Sequence, residues 1–119
     1  MAWDFRAALI GDLAYVDGNE PITYVATSEL LGDYEIQVQN AVGADFTDDE
    51  LAKSDGYLMA GDRYWIVSDA YFPFDSDQTR KPTPGDYLIR QASGERFNVI
   101  SCTRDALGLA WDVIGRLER

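Results

Sequence analysis

Carboxylates are the most abundant reactive groups in this chain. There are 21 Asp and Glu against 10 Lys and Arg, for a formal net charge of −11. Two carboxylates at a suitable separation can hydrolyse a glycosidic bond, one as acid and the other as base or nucleophile. Here nearly all of them fall in stretches rich in turn residues, where a solvated surface is their ordinary role. Asp48-Asp49-Glu50 and Asp75-x-Asp77 offer oxygen ligands to a hard cation. Neither follows the alternating spacing of a calcium-binding loop. The chain has no histidine, which removes imidazole bases, Ser-His-Asp and Cys-His nucleophiles and most zinc chemistry. Cys102 is the single cysteine, and only Arg104 stands near it in sequence to favour a thiolate. Its expected role is that of a small buried hydrophobe in a strand. The glycines at 56, 61, 85, 94 and 108 stand singly at turns and form no phosphate-cradling motif. These residues predict no catalytic, metal or cofactor site, and so no enzyme.

The aromatic residues offer a different chemistry. Trp3, Phe5, Tyr71, Phe72 and Phe74 lie outside the clear strands. The run Tyr71-Phe72-Pro73-Phe74 is flanked by acids and prolines, as a loop that anchors in a partner's pocket would be. Large aromatics serve cores and interfaces alike, so these five are the candidate interface residues.

The elements that position these groups follow from length and pattern. At 119 residues, 46% hydrophobic and 26% charged, the chain is expected to form one folded domain over 1–119. Two domains of about sixty residues would each have a marginal core. No apolar run approaches the roughly 20 residues of a membrane span, and the N-terminus has the character of neither a signal peptide nor an anchor. The acidity repels phosphate, which argues against groove-reading nucleic-acid binders. One cysteine allows no intramolecular disulfide.

Trp3, Ala7 and Ile10 share one face of a short helix over 2–14, and residues 17–21 read as a turn. Residues 22–27 are a strand by composition. In 34–42, Tyr34, Ile36, Val38 and Asn40 alternate with Glu35, Gln37, Gln39 and Ala41, which predicts a strand with one wet face. Residues 43–61 form a long acidic excursion. Within it, Thr47-x-x-Glu50 matches a capping box that would start a helical turn over 48–53. Residues 63–67 are apolar on both faces and predict a central strand. Residues 69–85, with three prolines, predict a second excursion. Short strands follow at 86–90, 95–103 and 109–114, separated by turns at Ser93-Gly94 and 105–108. In the second of these, Phe97, Val99 and Ser101 share one face, and Asn98, Ile100 and Cys102 the other. The pattern predicts a mainly β fold, a small antiparallel barrel or sandwich with a short N-terminal helix and long loops.

The ordered set Lys81-Pro82-Thr83-Pro84-Gly85-Asp86-Tyr87-Leu88-Ile89, Gly94-Glu95-Arg96-Phe97-Asn98-Val99 and Arg104-Asp105-Ala106-Leu107-Gly108-Leu109-Ala110-Trp111 resembles the head-completion, or stopper, proteins of tailed bacteriophages. Gly18 to Tyr24 is similar to their opening strand, so the likeness spans about 18–114. The resemblance implies a structural protein of the virion, assembled in the host bacterial cytoplasm. It would be a monomer when free and would join a homo-oligomeric ring at the neck. Its partners would be a portal or adaptor protein and a tail-terminator protein, with DNA as passing cargo and no membrane. A negative wall lets the phosphate backbone slide without being gripped. The family's loop between the second and third strands, which can block the channel, corresponds in position to 43–61. That makes Asp45, Asp48, Asp49, Glu50 and Asp55 the candidate channel-loop residues. A second reading needs no ring: a small acidic β-barrel module that binds a basic protein partner.

Overall fold

Six strands account for most of the described chain: β1 (Asn19–Ala26), β2 (Tyr34–Asp45), β3 (Arg63–Ser68), β4 (Tyr87–Arg90), β5 (Arg96–Arg104) and β6 (Ala110–Leu117). One short helix, α1 (Asp48–Lys53), and a 3-10 turn (Asp69–Tyr71) are the other elements among the described residues. The computed structural model describes residues 19–27, 32–72, 82–104 and 108–118. The helix expected at 2–14, with Trp3 and Phe5, lies outside the described residues, as does Phe74.

The strands close into an antiparallel barrel in the order β1-β2-β3-β6-β5-β4. Two meanders, β1-β2-β3 and β4-β5-β6, are joined by the pairs β1·β4 and β3·β6. Closure pairs the edges that an open sheet would leave exposed. Strand direction then sorts the connections. The start of β1, the β2–β3 excursion, the β4–β5 turn and the end of β6 share one end of the barrel, here the lower. The ends of β1, β3 and β5 and the starts of β2, β4 and β6 share the upper end, where β3 and β4 stand opposite each other in the circle.

The interior is filled. Ile22, Tyr24, Val38, Trp65, Val67, Leu88 and Val113 have no exposed surface. Burying each large apolar side chain contributes about 1.5–3 kcal/mol. Trp65 is the largest, and its indole fits because two neighbouring strands carry glycine. A Cβ on Gly43 would stand 2.7 Å from Trp65 Nε1, and one on Gly115 would stand 3.0 Å from Trp65 Cζ3. The indole stacks edge-on against Phe97, with centroids 4.9 Å apart.

Three details differ from the sequence reading. Asn19–Pro21, expected as a turn, begins β1 and pairs with β2. In β2 the inward face changes phase. Ile36 and Val38 point in, but so do Ala41 and Gly43, and Asn40 does not share their burial. The pairs Glu20↔Ala41 and Ile22↔Val38 place one extra residue on β2, a bulge that reverses the alternation. A second bulge, between Val99 and Ser101 in β5, turns Cys102 onto the core side with Phe97 and Val99 instead of the opposite face. Strict period 2 cannot anticipate either reversal.

Candidate functional site

The β2–β3 excursion begins one residue after Asp45. The capping box forms: Thr47 Oγ1 accepts from Glu50 N at 3.2 Å, and Glu50 Oε1 accepts from Thr47 N at 3.0 Å. Asp48, Asp49 and Glu50 then occupy the first turn of α1, where the N-terminal end of the helix favours negative charge. After α1, Asp55 (φ 55°) and Gly56 (φ 83°) turn the chain back. The return is strapped to β6. Asp62, buried, accepts from Arg116 Nε at 3.0 Å and Nη2 at 2.9 Å, and Arg116 Nη2 also donates to Tyr57 O at 2.8 Å. Asp62 Oδ2 takes Met59 N at 2.8 Å as well.

The five candidate channel-loop acids do not form one cluster. Asp45 lies in β2, not in the excursion, and pairs with Arg63 at 3.0 Å. Asp49 pairs with Lys53 at 2.9 Å on the exposed helix face. Glu50 belongs to the capping box. Asp48 and Asp55 are exposed.

Two recesses flank this excursion. One, of about 240 Å³, is lined by Phe46, Glu50, Tyr64, Asp112 and Ile114. The rings of Phe46 and Tyr64 meet there, with centroids 5.2 Å apart. The other, of about 380 Å³, is lined by Met59, Ala60, Asp62, Arg116 and Leu117. Tyr57 and Met59, on the same excursion, are more than half exposed. Sequence reasoning passed over Phe46, Tyr64, Asp112 and Ile114. They come from three separate segments, and only the barrel register, with Tyr64 opposite Ile114, brings them together.

The aromatic run behaves differently from expectation. Phe72 is only 5% exposed and packs edge-on against Tyr24, with centroids 5.2 Å apart. Tyr71 is half-buried against the same core. The 3-10 turn, capped by Ser68 Oγ accepting from Ala70 N, aims both rings down into the upper mouth. Phe72 is therefore a core residue and not an exposed interface anchor, because closing the barrel end buries more apolar surface than leaving the ring in water.

Four carboxylates expected on the surface are instead structural. Glu20 accepts from Trp65 Nε1 at 2.6 Å and from Arg90 Nη2 at 2.8 Å. Asp69 accepts from Trp111 Nε1 at 2.8 Å and Arg104 Nη2 at 3.1 Å. Asp86 accepts from Tyr24 Oη at 2.6 Å, Thr27 N at 2.9 Å and Thr83 N at 2.9 Å. Asp62 is the fourth. Burial, followed by the nearby Asp86 charge, raises the Tyr24 phenol well above its ordinary range. The same two causes push the Cys102 thiol up to about 12, so it is an inert core thiol at neutral pH.

The consequence for charge is direct. Lys53, Arg63, Arg90, Arg96, Arg104 and Arg116 are the basic residues among those described, and each is paired with a carboxylate. Among the described residues no group of three or more His, Cys, Asp or Glu is placed to hold a metal ion. No described helix is long and apolar enough to cross a membrane.

No protein-family model matches the chain, and no curated protein matches it. Among solved structures it is similar to the solution structure of protein SF1141 from Shigella flexneri 2a. The TM-score is 0.56 at 15% identity, covering 85% of this chain and 95% of that one. At that identity the likeness concerns the fold alone.

Proposed function

We propose that this chain is a head-completion, or stopper, protein of a tailed-phage neck. It forms a ring of identical copies that joins the portal or adaptor to the tail and helps retain the packaged DNA. The observation that carries the reading is the balance of charge: every described cation is already neutralised, so the outer wall keeps a net excess of carboxylate. Such a wall repels a duplex backbone and lets it slide. The filled interior supports the same arrangement, because DNA would pass between copies and not through one. The β2–β3 excursion, projecting from the lower end with exposed Tyr57 and Met59, corresponds to the segment that contacts neighbours or the channel. Electron microscopy of the protein mixed with its portal complex tests this. Added ring density at the neck is expected, and its absence counts against the proposal.

A second reading, an acidic barrel that binds a basic protein partner, is favoured by the recess beside Tyr64. A cationic protein retained at low salt and released at high salt would distinguish it, since screening weakens exposed charge pairs.

A further inference from the structure

The outer face of the barrel is not uniform. Across β1, β2 and the β4–β5 turn it is polar: Thr23 Oγ1 donates to Gln37 Oε1 at 3.1 Å, and Gln91 Nε2 donates to the same oxygen at 3.0 Å. Across β2, β3 and β6 the outward positions include the apolar Val42, Ala44, Tyr64, Ile66 and Ile114, with Asp112 opposite Ile66. They pair as Val42↔Ile66, Ala44↔Tyr64 and Tyr64↔Ile114. This apolar stripe runs into the recess of about 240 Å³ lined by Phe46, Glu50, Tyr64, Asp112 and Ile114.

Among the described residues, the negative charge around the recess is uncompensated. Arg63 is held by Asp45 and Glu20, Lys53 by Asp49, and Arg116 by Asp62. Glu50 spends Oε1 on the capping box. Asp112 is exposed, and no described cation pairs with it or with Glu50. The recess is smaller than the roughly 300–1,000 Å³ of small-molecule pockets. It suits one long side chain. Two aromatic rings, tilted 51° to each other, and Ile114 offer an apolar floor, and two carboxylates offer charge-assisted acceptors. That combination matches a guanidinium, which stacks on rings and pairs with carboxylates, better than a compact ammonium.

We propose that this recess receives an arginine side chain from a basic segment of a partner protein. The site deepens the second reading above, on which it rests, and is independent of ring formation.

The test is an NMR titration of the full ¹⁵N-labelled chain at low ionic strength with the peptide acetyl-Gly-Leu-Arg-Leu-Gly-amide. Saturable shifts are expected at Phe46, Glu50, Tyr64, Asp112 and Ile114. Replacing the peptide's arginine by citrulline keeps its shape without the charge and should weaken binding about tenfold or more. The double variant Glu50→Gln, Asp112→Asn should lose about as much, and Gln retains the capping box. A control that removes the same charge elsewhere, Asp33→Asn with Glu35→Gln, should change affinity by less than about twofold, as expected for distant screened charges. Equal weakening by both double variants, or shifts scattered over the acidic surface, would overturn the site. So would a lysine peptide that binds as tightly. If the site fails while a cationic partner still co-purifies, the location is wrong and the binding-module reading survives.

Discussion

At the scale of single residues, Trp65 sets the tightest tolerances. It needs glycine on both neighbouring strands, and a Cβ on Gly43 would also stand 3.0 Å from Glu20 Oε1. Gly43→Ala should therefore lower stability by about 1–3 kcal/mol, read from urea unfolding. Cys102 and Tyr24 make stability depend on alkaline pH. The Cys102 thiol is near 12 when folded, against an ordinary 9.0. The folded chain thus holds a proton that the unfolded chain has released. The contribution is complete below the unfolded value and is lost as pH rises through the folded one. The Tyr24 phenol, raised above 10.0, acts in the same direction. The urea midpoint should fall from about pH 9 to about pH 11, and Cys102→Ala should flatten the first part of that fall. Little of this was visible in the chain. Asp86 sits 62 positions from Tyr24 and Glu20 sits 70 from Arg90. A carboxylate beside turn residues looks solvated until its distant partner is placed.

Elements were far more legible. The capping box at Thr47 and Glu50 is a local signal, and it formed as predicted. Thr47→Ala should leave global unfolding nearly unchanged but speed hydrogen exchange across 48–53, since a lost cap costs about 1 kcal/mol locally. Arg116→Ala acts on the other half of the same excursion. It strands buried Asp62 and frees Tyr57 O, so exchange should quicken across 57–62 while α1 stays unchanged. Measuring both variants shows whether the two halves open independently. The strands were legible from composition and alternation, yet their faces were not legible throughout. Bulges in β2 and β5 insert one residue each and reverse the side chains beyond them. The aromatic run 71–74 was ambiguous for a related reason: only a closed barrel end makes Phe72 more stable inside than out.

For the whole molecule, charge would govern any association between copies. In the proposed ring, a copy whose described cations are all internally paired would meet its neighbours across carboxylates. If the chain forms rings, self-association measured by sedimentation should rise between about 0.01 M and about 0.5 M salt as repulsion is screened. Association that weakens with salt would point to opposite-charge contacts and away from that scheme. A small antiparallel barrel or sandwich was legible because short strands and turns alternate along the chain, and the structure decides for the closed barrel. The strand circle was not, because the pairs that close it join the two meanders across the 69–86 connection. That connection has a practical consequence. Cutting the chain within it yields two pieces of three strands each, and each piece has two unsatisfied borders that only the other fits. Expressed separately, they should clump. Produced together, they should find each other and rebuild the fold, which makes this position the natural seam for a split, self-reassembling version of the protein.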